Sequence, residues 1–163
     1  MANPTPAAEI IAYYERGGET TRLSADTGLL EFLRTQDVLR RLLPPPPAAV
    51  LDVGGGSGVH AAWLAADGHA VHLIDPVAAH VAQAAALPGV TSEVGDARAL
   101  PSGDAAAAAV LLLGPLYHLP DRADRVRALA EARRAVRPGG LVVAATINRL
   151  AAVHDMSRQD RFG

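Results

Sequence analysis

The run Val50-Leu51-Asp52-Val53-Gly54-Gly55-Gly56-Ser57-Gly58 constrains this chain more than any other feature. Three apolar residues around one acid read as the end of a buried strand. Four glycines in the next five positions make a turn where the backbone bends tightly and a ligand approaches with no side chain to clash. Residues 59–66 then carry a helix, ended near Gly68. Strand, glycine turn and helix in that order open a doubly wound α/β sheet, in which ligands bind outside the carboxyl ends of the strands.

The rest of the chain repeats the alternation. Strands are expected over residues 48–53, 70–74, 90–94, 107–113 and 141–147, with further helices over 77–87 and 121–137. Asp121 and Asp124 suit the positive end of the last helix, Arg133, Arg134 and Arg137 its negative end, and Gly139-Gly140 follow it. Apolar, β-branched strands argue for a mostly parallel sheet covered on both faces. Two helices are expected before the first strand. One covers residues 7–16, and the other starts at Asp26 or Thr27 and runs to Leu43. The second should pack through Leu29, Leu30, Leu33, Leu39, Leu42 and Leu43. Four prolines, 44–47, end it and stiffen the connector. The expected organisation is an N-terminal helical cap with its connector, residues 1–47, on a cofactor-binding α/β domain, residues 48–163.

Composition narrows the partners. A net charge of −2 offers no basic excess for a phosphate backbone, so nucleic acid is not expected. Cysteine is absent, which removes disulfides, thiolate metal sites and cysteine nucleophiles. The six histidines show no metal-ligand spacing, and no metal is expected. Residues 105–113, the longest apolar stretch, are too few to span a bilayer, and residues 1–16 have no signal-peptide pattern. A cytoplasmic protein without membrane contact is the expectation.

Three acids define the candidate site. Asp75 ends the second strand, 21 residues after Gly54, where a carboxylate can accept both ribose hydroxyls of an adenosine ligand. Asp96, in Gly95-Asp96-Ala97, follows the third strand at the same sheet edge and can accept from an adenine amino group. Asp52 stands two residues before the first glycine, where a carboxylate repels a pyrophosphate and attracts a cation. The turn also fails the dinucleotide pattern G-x-G-x-x-G, because Val59 occupies the place of its third glycine. S-adenosylmethionine, with its sulfonium and ammonium, fits these charges.

In these motifs the chain resembles the class I S-adenosylmethionine-dependent methyltransferases, a Rossmann-like family. Residues 51–58 are similar to the first motif, Asp75 to the ribose-binding acid and Gly95-Asp96-Ala97 to the adenine-side motif. Residues 113–119, Leu113-Gly114-Pro115-Leu116-Tyr117-His118-Leu119, are similar to the segment bordering the methionine and the acceptor. Val136-Arg137-Pro138-Gly139-Gly140 matches the turn before strand five. The stretch from Tyr13-Tyr14 to Arg22-Leu23 resembles the N-terminal lid, whose arginine can meet the cofactor carboxylate. The resemblance implies cofactor contacts from Asp52, Gly54, Gly56, Gly58, Asp75, Asp96, Ala97, Leu113, Gly114, Arg22 and Tyr14. It implies methyl transfer to a small-molecule acceptor, with His118 as the candidate general base.

The family pattern adds two strands after strand five, and residues 148–163 are too few for them. The sheet is therefore expected to be truncated after strand five, with self-association through that strand's open edge. This shortfall keeps open a non-catalytic S-adenosylmethionine-binding or interaction protein. An NAD-dependent oxidoreductase is disfavoured by Val59.

Overall fold

The structure, a computed structural model, describes residues 26–151 and residue 157. The elements are α1 (Asp26–Leu42), β1 (Ala49–Val53), α2 (Val59–Ala66), β2 (Ala70–Asp75), α3 (Ala78–Ala84), β3 (Val90–Val94), β4 (Ala107–Leu112), α4 (Pro115–His118), α5 (Arg122–Ala135) and β5 (Val136–Ala144). Among the described residues they form one sheet of order β3-β2-β1-β4-β5. Every neighbouring pair is parallel, with Leu51 opposite His72 on one side and Val110 on the other. The chain order reverses beside β1, so the glycine turn after β1 lies at the switch point, where an open α/β sheet leaves a crevice.

Side-chain alternation divides the core into two layers. Val50, Val71, Leu73, Ala109 and Leu111 pack against Leu39 and Leu43 of the α1 segment and against Ala61, Trp63 and Leu64 of α2. Leu51, Val53, Val110 and Leu112 face the other way, onto Ala128, Ala132 and Ala135 of α5. Small alanines on α5 let it lie close to the sheet.

The structure corrects several expectations. The packing stripe of α1 is narrower than its leucines suggest. Leu39 and Leu43 are buried and Phe32 packs beside them, while Leu29, Leu30, Leu33 and Leu42 are exposed. Phe32, Leu39 and Leu43 are spaced i, i+7 and i+11, which keeps one face toward α2. The sheet is not covered evenly on both faces. On the face of β2 and β3 turned away from α2 and α3, Ile74 is buried in the cluster that includes the α5 alanines, while His72 is partly exposed and bonds Thr91 Oγ1 at 2.8 Å and Glu93 Oε1 at 2.7 Å.

The last helix stops at Ala135 rather than at 137, and β5 covers Val136–Ala144 rather than 141–147. Pro138 disfavours helical geometry at Arg137, and Val136 is already extended and paired with Ala107. The ladder then slips, and regular pairing resumes at Ala109 opposite Leu141. Gly140 allows this, because a Cβ there would lie 2.7 Å from the Ala108 carbonyl oxygen. Pro115–His118 forms a single helical turn not foreseen from the sequence. The helix expected over residues 7–16 and the tail beyond residue 151, apart from residue 157, lie outside the described residues.

An aromatic joint holds α1 to α2. The Phe32 and His60 rings stack with centroids 5.4 Å apart, and Trp63 Nε1 donates to His60 Nδ1 at 3.2 Å. The Arg40 guanidinium lies 5.1 Å from the Trp63 ring centroid and its Nε bonds Asp67 at 2.7 Å. Burial lowers the His60 pKa from 6.5 to about 4, outweighing the opposing pull of Glu31. The unfolded chain therefore binds this proton more tightly, so the contribution of His60 to stability is full above pH 6.5 and is lost as pH falls through about 4. Trp63 is the chain's one tryptophan and reports on the joint directly. His60→Gln, which keeps an acceptor but does not titrate, is expected to lose less melting temperature than the wild type between about pH 7 and about pH 5. Thermal unfolding followed by Trp63 fluorescence checks this; equal losses would contradict it.

Candidate cofactor site

The site is built from the ends of β1 and β2. The ladder between them runs past β1, where the Gly54 N–H donates to the Ile74 carbonyl at 2.7 Å. This brings the glycine turn beside Asp75. One Asp75 oxygen, Oδ2, accepts from the Gly56 N–H at 2.9 Å. The other, Oδ1, accepts from the Val77 N–H at 2.9 Å and faces His80 Nδ1 at 3.2 Å. A carboxylate held from two sides in this way has a set orientation.

The four glycines separate by what surrounds them. Gly56, at φ +59°, has open space where a Cβ would stand, so a ligand can approach its backbone. Gly54 is closed instead by Pro115, whose Cγ lies 2.7 Å from the Cβ position, and Gly58 by Leu87 at 2.5 Å. Those two positions serve packing of α4 and of the α3 segment. Gly55 roofs Asp52, with a Cβ position only 2.6 Å from Asp52 Oδ2.

Asp52 is 1% exposed, and its Oδ2 has no hydrogen-bond partner among the described residues. Desolvation first, and the neighbouring Asp75 charge second, push the Asp52 carboxyl up to about 7. A cation arriving there would meet a carboxylate oxygen that no donor among the described residues engages.

Asp96 also lies at the carboxyl edge, buried and clamped by Arg98. Its Oδ1 accepts from the Arg98 N–H at 2.8 Å and from Nε at 2.9 Å, and its Oδ2 from Nη2 at 2.7 Å. Arg98 continues to Asp124 of α5 at 2.7 Å, which ties this loop to the helix. Ala97 packs against the core layer beneath α5, and Leu113 against the opposite layer. Gly114 approaches the turn itself, with its Cβ position 3.4 Å from the Gly54 carbonyl oxygen. His118 ends α4, with its ring 4.6 Å from that of Tyr117. Thus Asp52, Gly54, Gly56, Gly58, Asp75 and Gly114 come together, while Asp96 and Ala97 form a second group anchored by Arg98. Tyr14 and Arg22 lie outside the described residues. Sequence reasoning missed His80 and Arg98, each close in sequence to its acid: five residues after Asp75 and two after Asp96.

The sheet order, the glycine turn at its switch point and the two buried acids beneath it define a Rossmann-like ligand-binding domain. The model of a family described as a methyltransferase domain matches residues 50–140, and the chain belongs to that family, within the class I S-adenosylmethionine-dependent methyltransferases. A ubiquinone/menaquinone biosynthesis C-methyltransferase, UbiE, from Acidiphilium cryptum is 34% identical over 115 residues, covering 66% of this chain and 45% of that protein. The chain thus spans less than half the length of this curated relative. The crystal structure of the [4+2]-cyclase SpnF superposes with a TM-score of 0.64 at 29% identity, covering 72% of this chain and 46% of that one. A S-adenosylmethionine-dependent methyltransferase from Methanosarcina mazei gives a TM-score of 0.59 at 26% identity, covering 64% and 55%.

The family's cofactor is S-adenosylmethionine, and the residues present fit it. The unpartnered Asp52 Oδ2 suits its cationic methionine end, the open backbone at Gly56 gives room, and Asp75 offers an oriented acceptor. The cost of that arrangement is visible as a pH effect. The folded state holds the Asp52 proton more tightly than the unfolded chain, so the favourable contribution is present below about 3.8 and is lost as pH rises through about 7. Asp52→Asn is expected to raise the melting temperature at about pH 8 by removing a buried charge worth of order a few kcal/mol. The same variant should bind S-adenosylmethionine at least about tenfold more weakly, as expected for a lost charged partner. Paired thermal melts and calorimetric titrations check both; unchanged melting and unchanged affinity together would remove Asp52 from the site.

Proposed function

We propose that this chain binds S-adenosylmethionine at the carboxyl edge of β1 and β2 and forms the cofactor-binding part of a methyltransferase for a small-molecule acceptor. The observation that carries the reading is the pair of buried carboxylates under an open glycine turn: Asp52 with one unpartnered oxygen, Asp75 held against Gly56. Asp75 takes a ribose hydroxyl, Asp52 the methionine ammonium directly or through water, and Asp96 the adenine amino group. Tyr14 and Arg22 belong to the same reading, as the N-terminal residues that close over the methionine end.

When bound, S-adenosylmethionine would supply a methyl group made electrophilic by its sulfonium, for an acceptor nitrogen, oxygen or carbon whose own electron pair would form the new bond while the sulfur kept the S–C pair. The residues here align the reactants and exclude water from them. The segment from Gly114 to His118 abuts the turn through Pro115, so His118 stands on an element that touches the turn. Its imidazole is the group proposed to take the proton that the acceptor loses.

Calorimetry with S-adenosylmethionine, S-adenosylhomocysteine and NAD tests the reading. Binding of the first two and not of NAD is expected. Asp75→Asn should weaken that binding by about 1–3 kcal/mol, the range for a charge-assisted hydrogen-bond pair. Gly56→Ala, whose methyl group would enter open space, should abolish it while the circular dichroism spectrum stays native. A wild-type chain that binds NAD and not S-adenosylhomocysteine would overturn the reading.

We also propose that the outer edge of β5 pairs with a further strand. Among the described residues, β5 has β4 on one side and no strand on the other. Leu141, Val142 and Val143 there are apolar and half-buried, and uncharged flat edges recruit other chains. The 163-residue chain is expected to show a scattering mass that rises with concentration. A constant monomer mass across the series would contradict this.

A further inference from the structure

His80 is buried in the first turn of α3, on the residue-75 side of the site, and no role in cofactor binding follows for it from the motifs. Its side chain is 11% exposed and that of Asp75 6%, with His80 Nδ1 3.2 Å from Asp75 Oδ1. An ionised carboxylate only accepts, so the Nδ1 proton lies on the histidine. Oδ1 then receives two donors, the Val77 N–H and the His80 Nδ1–H, while Oδ2 receives the Gly56 N–H. The Gly56 and Val77 N–H groups each hold one oxygen against rotation about Cβ–Cγ, with Val77 only two residues on. The histidine approaches from the helix and opposes that rotation.

We infer that His80 is a positioning residue for the ribose acid: its Nδ1–H saturates Asp75 Oδ1 and leaves Oδ2, on the Gly56 side, as the oxygen presented to the cofactor's ribose. The inference rests on the S-adenosylmethionine reading above and deepens it. His80 touches no cofactor atom in this account; it acts through Asp75. The separation of roles matters chemically. A carboxylate that must reorganise on binding loses part of its hydrogen-bond energy to ordering, and one held in advance does not.

Two variants and a double-mutant cycle decide the matter, with S-adenosylhomocysteine as the probe and the full 163-residue chain as the protein. His80→Leu keeps an apolar side chain in the buried space and removes the donor. His80→Asn keeps a donor, because its amide nitrogen stands the same number of bonds from Cβ as Nδ1 does. His80→Leu is expected to raise Kd about 5- to 20-fold, less than the full effect of a hydrogen bond to a charged group because His80 acts through Asp75. His80→Asn should stay within about threefold of the wild type. In an Asp75→Asn background the His80→Leu effect should largely vanish, since the two residues act as a unit. Melting curves recorded alongside show that each variant is folded.

A folded His80→Leu variant with wild-type affinity would overturn the inference. So would equal losses in the leucine and asparagine variants, which would make His80 a packing residue. An undiminished effect in the Asp75→Asn background would equally sink it. A wild-type chain that fails to bind S-adenosylhomocysteine at all would instead overturn the functional reading, and the two failures are distinguishable.

Discussion

The hydrogen bond from the Gly56 N–H to Asp75 Oδ2 joins the turn after β1 to the end of β2, and the geometry of the site depends on it. The parallel ladder brings the two strand ends side by side, but a ladder fixes only backbone height. A glycine turn with positive φ at several positions has many conformations open to it. Anchoring its middle to a buried carboxylate selects one of them. The same carboxylate starts the next helix through the Val77 N–H, so a single side chain sets the turn on one side and the helix entry on the other.

Around that bond the protein accepts an electrostatic penalty. Asp52 and Asp75 are both buried, at 1% and 5% exposure, and the nearer a second negative charge lies, the harder the first is to ionise. Asp75 is compensated by three donors. Asp52 keeps an unpartnered oxygen and a carboxyl pushed up to about 7. A structural acid would be expected to find donors at this depth. An acid kept short of partners at the switch point of a parallel sheet is the feature on which the proposed cation-binding role of Asp52 rests. The Asp96–Arg98–Asp124 chain contrasts with it: there both acids share a guanidinium partner, and the loop is pinned to α5.

Much of this was legible in the residues. The alternation of strands and helices, the parallel sheet and the junction of Gly54–Gly58 with Asp75 follow from spacing and apolar pattern, because those signals are local. The signals that misled are equally specific. Six leucines over residues 29–43 look alike in sequence, yet only those facing α2 are buried, and which face does so is decided by the partner helix. The start of β5 was masked by helical charges at Arg133, Arg134 and Arg137 that continue past the last helical residue. His72, Thr91 and Glu93 are polar at alternate positions, which in retrospect is the mark of a sheet face left partly exposed.

By itself, then, the sequence determined the order of elements, the place of the glycine turn and the acids that stand near it, since each is written in neighbouring residues. Tertiary structure decided how those residues differ in role. Gly56 faces open space while Gly54 meets Pro115, and that distinction arises from a segment some sixty residues away in the chain. Asp75 Oδ2 is held by the Gly56 N–H, while Asp52 Oδ2 meets no donor among the described residues, a difference set by the three-dimensional path of the turn. Residue type supplies a carboxylate; only the packing around it sets how far it is desolvated, what it bonds and therefore what it can attract.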